Sequence, residues 1–262
     1  MKDLICIGLL FLSVIICNGQ NKLRESLDRY DYQTALTIID SLTAKICTDS
    51  TSIVENRETL IDLALQKARC LRRLYRMQES VEVLADVLYL DQFNIELIAD
   101  LAESHMQVGN TPEAFKLYGI LSQMQPENSY FKICKARILY REKQYEECIS
   151  ACMEIIARDS IPEILTMTAD AYRNLDKADS ALVYYDHVLG KRPKHVATMS
   201  KKADILLSAK QYQPVIDMSS EYLKEDPDNM VMLPIYGLAL YLKGSYPLSI
   251  EQFEHQRELG DD

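Results

Sequence analysis

The chain has 262 residues, of which 48% are hydrophobic and 26% charged, the balance of an ordinary soluble protein. Its formal net charge is −10, and no run of Lys or Arg offsets that excess. This charge argues against nucleic acid or an anionic lipid surface as the main partner.

Residues 1–19 have the composition of a signal peptide. Lys2 precedes an apolar run, 4–17, that is shorter than the ~20 residues needed to cross a bilayer. The small residues around Cys17 and Gly19 predict cleavage before Gln20. Two alternatives remain open: a lipoprotein acylated on Cys17, or an uncleaved membrane anchor. A membrane association is expected only in those two cases.

The mature chain, 20–262, is predicted to be helical throughout. The first helix pair is expected at 21–28 and 32–44, as a shortened N-terminal repeat. An insertion near 45–56 follows, with 48–52 as a turn and 54–73 as a longer helix.

The rest of the chain repeats with a period of about 34 residues. A small residue, called the anchor below, recurs at Ala68, Ala102, Ala136, Ala169, Ala203 and Gly237. Twelve residues after each anchor lies a second, mostly small residue: Ser80, Ala114, Cys148, Ala181, Val215 and Ser249. Sixteen after it come Leu84, Tyr118, Cys152, Tyr185, Ser219 and Phe253. Pro126, Pro193 and Pro227 close three of the repeats.

This pattern resembles the tetratricopeptide repeat (TPR) family over roughly residues 22–260, in the form of an exported bacterial protein. The family's signature tryptophan is absent, because the chain contains no Trp. The resemblance implies an all-α, right-handed α-solenoid of about seven stacked helix-turn-helix repeats. It also implies that the first helix of each repeat faces a concave groove.

Local signals predict where helices begin. Thr111 is expected as an N-cap ahead of Pro112, and Ser160 and Glu163 have the spacing of a capping box. The last helix, to about Leu259, is expected to be polar enough to face water and close the array.

No residues are spaced for catalysis, and no metal or cofactor is expected. Glycine-rich phosphate loops and the common metal or hydrolase motifs are absent from the sequence, and its four histidines lie in separate repeats. Cys148 and Cys152 occupy packing positions and are interpreted as buried, free thiols. His105 is interpreted as a packed ring.

A binding surface is predicted from helical geometry, on the face that the resemblance assigns to the groove. The residues one position after the anchors, Arg69, Glu103, Arg137 and Asp170, alternate in sign and predict a ladder of ion pairs. Aromatic, Arg and apolar residues are enriched at binding surfaces. The predicted partner-binding residues are Tyr130, Ile133, Arg137, Tyr140, Arg141, Arg173, Asn174, Leu238 and Tyr241.

The sequence therefore predicts a non-catalytic scaffold in the periplasm or cell envelope of a bacterium that binds a protein or extended peptide. One alternative is a carbohydrate-binding or accessory subunit of an envelope enzyme or uptake complex. Another is a membrane-anchored sensory module of a regulator. The apolar last repeat could instead pack against a second copy of the chain.

The first testable prediction is that the protein is exported and its signal peptide is cleaved. We expect mass spectrometry of the mature protein to find an N-terminal peptide that begins at Gln20, because signal peptidase reads the small residues before it. A mature protein that begins at Met1 would contradict export with cleavage, and a lipid-modified Cys17 would establish the lipoprotein alternative.

Overall fold

The computed structural model describes residues 18–260, so the predicted signal peptide, apart from its last two residues, lies outside the described part. The first described helix, α1, spans 18–28. The helices that follow are α2 (Tyr32–Ile46), α3 (Ser50–Glu55), α4 (Arg57–Arg73), α5 (Met77–Val87), α6 (Ile95–Gln107), α7 (Thr111–Met124), α8 (Ser129–Arg141), α9 (Tyr145–Ile156), α10 (Pro162–Asn174), α11 (Ala178–Lys191), α12 (Val196–Ser208), α13 (Tyr212–Leu223), α14 (Met232–Lys243) and α15 (Tyr246–Gly260). A 3₁₀ turn, Leu88–Leu90, follows α5.

The chain divides into two compact bodies, an N-terminal half through Phe131 and a C-terminal half from Lys132. In the N-terminal half, α4 packs on α5 and α6 on α7. In the C-terminal half, α9 packs on α10, α10 on α11, α13 on α14 and α14 on α15. Residues 18–260 contain no β-strand. The predicted all-α fold of stacked helix-turn-helix repeats is confirmed.

The anchors lie where the two helices of a repeat meet. All six are buried, and so are the six residues that follow them by twelve positions. A small side chain at both places lets the two helix backbones approach closely, which is why Ala and Ser recur there. Five of the residues at plus sixteen are also buried, and the sixth, Phe253, remains partly exposed.

Gly237 shows how closely two helices approach at the anchor. A Cβ atom built on Gly237 would lie 2.9 Å from a ring carbon of Phe253. The phenyl ring therefore occupies the space that the methyl group of an alanine anchor fills in the other repeats. This contact explains the glycine in the last repeat.

The turn between the two helices has the same form in each repeat. The residue seven positions after the anchor has a left-handed backbone in all six, at Tyr75, Gly109, Lys143, Asp176, Lys210 and Gly244. The next residue donates its N–H back to the carbonyl of the residue three after the anchor, as in Arg76 to Leu71 at 2.9 Å. This is the pattern of a Schellman motif, which satisfies carbonyls at the end of a helix.

The same turn identifies the anchor place of the first repeat. Tyr30 is left-handed, and Asp31 N–H donates to the Ser26 carbonyl at 2.9 Å. Counting back seven from Tyr30 reaches Leu23, which is buried. Sequence analysis did not find this position because leucine is not a small residue.

Two local predictions are wrong. The segment predicted as a turn at 48–52 contains the start of α3, because the Asp49 carboxylate accepts the Ser52 N–H at 2.9 Å and caps a short helix. Ser160 does not cap α10. Pro162 occupies the first helical turn and makes Ile161 the N-cap, without a side-chain hydrogen bond.

Thr111 and the last helix also differ from the prediction. Thr111 is the first residue of α7, and Asn110 is its N-cap. Helix α15 is polar along part of its surface, but it also exposes Tyr246, Leu248, Ile250 and Phe253. It is therefore not a fully polar closing helix.

The predicted packing of the cysteines is confirmed. Cys148 and Cys152 are fully buried on α9 with their sulfur atoms 4.0 Å apart, and no disulfide joins cysteines in the described residues. The thiol–thiol hydrogen bond, together with burial, raises the pKa of Cys148. A neutral, buried thiol is a poor nucleophile.

The left-handed residues of the turns predict how substitutions at these positions change stability. Tyr75 is 87% exposed, so its side chain contributes little packing to offset the strain of a positive φ. Tyr75→Gly should raise the free energy of unfolding by about 1 kcal/mol, measured by urea denaturation. Gly109→Ala, at the same place in the next repeat, should lower it by about the same amount. A destabilised Tyr75→Gly would show that the tyrosine ring contributes more than the strain.

Candidate functional site

The predicted binding residues of the C-terminal half lie on one side of its first helices. This side, the first-helix face, carries the residues one, four and five positions after the anchors of α8, α10, α12 and α14. On it, Arg137, Arg141, Asn174, Leu238 and Tyr241 are exposed. Tyr140 and Arg173 are half-buried, and so is Ile133, three positions before its anchor.

Tyr130 belongs to the N-terminal half. Its ring is exposed and lies edge-on to Phe131, with the ring centroids 5.6 Å apart. Phe131 in turn stacks on the buried Tyr118. Tyr130 is thus held by the packing of its own half.

In two repeats, a tyrosine of the first helix, α8 or α14, contacts a tyrosine at the start of the second helix. Tyr140 lies edge-on to Tyr145 with ring centroids 5.6 Å apart, and Tyr241 lies edge-on to Tyr246 at 5.5 Å. In both pairs the first ring follows its anchor by four residues and the second by nine. Edge-to-face contact fixes the orientation of the rings, so each pair presents a rigid aromatic surface.

Hydrogen bonds join the face of α8 to that of α10. The Asn174 amide donates to the Tyr140 hydroxyl at 3.4 Å and to the Asp170 carbonyl at 2.7 Å. Burial, with the nearby negative charge of Asp170, raises the pKa of Tyr140. Tyr140 therefore stays a neutral phenol, and the structure brings the predicted residues Tyr140 and Asn174 together.

Asp170 is the polar centre beneath this face. Its carboxylate accepts from the Tyr185 hydroxyl at 2.5 Å and from the Lys201 ammonium at 2.6 Å, and its side chain is only 13% exposed. Burial and the hydrogen bond to Asp170 raise the pKa of Tyr185 above its usual range. A contact in the N-terminal half corresponds to it, because the Tyr118 hydroxyl donates to Glu103 at 3.3 Å.

The predicted ladder of ion pairs between residues one position after successive anchors is wrong, because these residues pair elsewhere. Arg69 pairs with Glu96 at 2.6 Å and with Asp100 at 3.0 Å, rather than with Glu103. Asp170 likewise pairs with Lys201. Asp100 and Lys201 both lie two positions before the anchor of the following helix. These ion pairs therefore join α4 to α6, and α10 to α12, between residues almost one turn apart in repeat position.

The face becomes apolar at α14. Leu238, Tyr241 and Leu242 are exposed there, and Val231 is exposed just before the helix. Between the two ends, Arg173 lies 4.0 Å from Asp204 of α12. The chemistry thus changes along the helices from Arg and Tyr, through polar groups, to apolar side chains.

A cleft in the N-terminal half was missed by sequence analysis. It has a volume of about 620 Å³ and is lined by Arg69, Arg72, Arg73, Tyr75, Met77, Glu103 and Gln107. Arg72 is held by Asp100 and Ser104, whereas Arg73 makes no ion pair within residues 18–260. The adjacent Arg72 and Arg73, at four and five after the anchor, were the signal in the sequence.

The described part of the chain offers no cluster of three or more His, Cys, Asp or Glu residues that could hold a metal ion. His105 is half-buried, and burial lowers its pKa. Within residues 18–260, no helix has both the length and the apolar composition that a membrane span needs.

No family model matches the chain. A tetratricopeptide repeat protein 21 homolog of Caenorhabditis briggsae is 23% identical over 190 residues, which are 70% of this chain and 14% of that protein. The chain thus spans about a seventh of the length of this curated relative. The crystal structure of a tetratricopeptide repeat protein from Parabacteroides merdae superposes with a TM-score of 0.64 at 13% identity, covering 94% of this chain and 93% of that one. The fold is that of a tetratricopeptide repeat protein.

A second TPR structure, YrrB, is described as having an unusual peptide-binding site. It superposes with a TM-score of 0.54 at 16% identity, over 70% of this chain and 95% of YrrB. The names of the relatives support the same TPR family.

We expect substitutions of two aspartates on the first-helix face, Asp170 and Asp204, to differ in their effect on stability, because the carboxylate of Asp170 is mostly buried. Asp170→Ala should cost about 2 kcal/mol of unfolding free energy, because the Tyr185 hydroxyl and Lys201 lose their acceptor in a mostly buried place. Asp204→Ala is the control. Its side chain is 64% exposed and its ion pair is long, so the cost should stay below about 0.5 kcal/mol. Equal effects in urea denaturation would contradict a structural role for Asp170.

Proposed function

We propose that the chain is a non-catalytic scaffold that binds another protein through an extended peptide, held along the first-helix face of the C-terminal half. The observation that carries the proposal is the pair of rigid tyrosine contacts at α8 and α14. Tyrosine offers a large contact area and a hydrogen-bonding hydroxyl at a low cost in conformational entropy. The packing of a repeat does not require an aromatic ring four residues after the anchor, because other repeats carry Arg72, Met106, Arg173 and Leu207 there.

The side chains around the two tyrosine pairs indicate the chemistry of the peptide. Arg137 and Arg141 lie on the face of α8, where they favour a carboxylate-bearing residue. Leu238, Tyr241 and Leu242 on α14 favour an apolar residue. The Asn174 amide, between them, has the groups to hydrogen-bond a peptide backbone. An extended segment with an acidic residue at one end and an apolar residue at the other fits this order.

The peptide-binding site described for YrrB, which has a similar fold, supports a peptide as the partner. The net charge of −10 favours a protein partner over nucleic acid. We further propose that the protein is exported and works in the bacterial cell envelope. The support is the apolar run at 4–17 and the small residues before Gln20.

The binding test begins with peptides selected from a random library displayed on phage against the full mature chain. Affinity is then measured by fluorescence anisotropy with one selected, synthesised peptide. Tyr140→Ala with Arg141→Ala should weaken it by at least about fivefold, the effect of losing one central contact of roughly 1 kcal/mol. Tyr89→Ala, which removes an exposed aromatic ring from the N-terminal half, is the control and should leave affinity unchanged.

Leu238→Asp tests the α14 end of the same face. Weaker peptide binding by a monomer would support the proposal. Conversion of a dimer into a monomer, seen by sedimentation, would show instead that the apolar end packs against a second copy. If neither variant alters affinity or oligomeric state, the first-helix face does not bind the partner. Circular dichroism and melting temperature should stay at the wild-type values in every variant.

A further inference from the structure

Helix α15 exposes apolar side chains whose counterparts in other repeats are buried or half-buried. Ile250, thirteen residues after its anchor, is 56% exposed. Val81, Ile149 and Ile216 occupy the same place in their repeats and are buried, and Phe115 and Leu182 at that place are half-buried. Phe253, three residues further along, is 39% exposed, although the five residues at its place in the other repeats with small anchors are buried.

In those repeats the covering element is the first helix of the next repeat. Ile216 of α13 packs in one cluster with Ala239 and Leu240 of α14. Val81 of α5 packs with Leu101 of α6 in the N-terminal half. Within residues 18–260, no helix packs over α15 as the first helix of the next repeat does in those cases. Ile250 and Phe253 therefore stay exposed within the described residues, at places where a neighbouring helix packs in other repeats.

An ion pair that occurs in two repeats indicates which charge a helix covering α15 would carry. Seventeen residues after the anchor, Asp40 pairs with Lys67, and the two side chains are 2.6 Å apart. Asp186 occupies the same place in its repeat and pairs with Lys202. Both lysines immediately precede the anchor of the next first helix. A carboxylate at this place is thus met, in both halves, by a lysine of the helix that covers it.

Glu254 is the third carboxylate at this place. It is exposed, lies one turn from Ile250 on α15, and makes no ion pair within residues 18–260. We propose that Ile250, Phe253 and Glu254 form a docking surface for an amphipathic helix of a partner protein. That helix carries an apolar stripe and, immediately before a small residue of the stripe, a lysine that pairs with Glu254.

A second copy of this chain fits the surface less well. If two α15 helices packed antiparallel about a two-fold axis, the same flank of each helix would meet. That flank carries Glu251, Glu254 and Glu258, so like charges would face each other. A head-to-tail contact fails for another reason. Within residues 18–28, α1 exposes no apolar stripe, and its exposed residues include Gln20, Asn21, Lys22, Arg24 and Glu25.

This inference goes beyond the proposed function, since it concerns α15 rather than the first-helix face. The probe for it is a synthetic peptide with the sequence of α12, residues 196–208, because α12 brings Lys202 to Asp186 in the protein. The peptide carries a fluorophore and a hydrocarbon staple on the side away from Lys202, since a free 13-residue helix is marginal in water. Binding to the full mature chain is measured by anisotropy.

We expect saturable binding that Ile250→Glu weakens at least about tenfold. Leu248→Glu is the matched control. Leu248 is 52% exposed on the same helix, but two residues away it points to the opposite side, so binding should change less than about twofold. Both variants should keep wild-type circular dichroism. Equal losses in the two variants, or no saturable binding to the wild type, would overturn the proposal.

A charge exchange tests the ion pair itself. Glu254→Lys should weaken binding of the wild-type peptide and improve binding of a peptide with Lys202→Glu, so that the double change recovers most of the affinity. The absence of recovery would overturn the pairing.

Two further results separate the alternatives. The variant that carries both Tyr140→Ala and Arg141→Ala should bind the α12 peptide with the wild-type affinity. A loss there would place the peptide on the first-helix face, which overturns this inference and leaves the proposed function standing. A wild-type dimer that Ile250→Glu disperses would identify a second copy as the occupant and would also overturn it.

Discussion

The structure depends on close contact between two helices at the anchor of each repeat. Because Ala or Gly at the anchor faces a small residue twelve positions later, the helix backbones approach closely enough for larger side chains around them to interlock. The residue at plus sixteen then fills the remaining space, as the Phe253 ring does against Gly237. Neither helix of a pair would be stable alone at 11 to 17 residues, so this contact determines whether the repeat forms.

The packing of the anchors between the two helices of a repeat also determines which residues of the first helix point outward. The residues one, four and five after the anchor lie away from the contact and are free to vary in chemistry. The C-terminal half uses this freedom by placing Tyr140 and Arg141 on α8 and Leu238 and Tyr241 on α14. Asp170 on this side is also tied to the packing, through Tyr185 and Lys201. The exposed side chains therefore change in chemistry from α8 to α14, while the helix pairs that carry them pack in the same way.

The sequence predicts the parts of this arrangement that follow from periodicity. The spacing of the small residues was sufficient to place the helix pairs and to assign Cys148 and Cys152 to the interior. It was insufficient for Leu23, because a large anchor breaks the pattern that identifies it. It also failed for the ion pairs of Arg69, because their partners depend on the offset between neighbouring helices, and a one-dimensional repeat does not contain that offset. Local capping signals failed at Ser160 for a similar reason, since Pro162 already determined where the helix begins.

The ion pairs between successive repeats join residues that are close in sequence. Lys67 and Asp40 are 27 positions apart, and Lys201 and Asp170 are 31. Contacts of such short range make the relative contact order low, which favours rapid folding. Nearest-neighbour stabilisation also lets folding begin at any helix pair and spread to the next. As the chain leaves the ribosome, each repeat can thus order on the one before it without waiting for the repeats that are synthesised later.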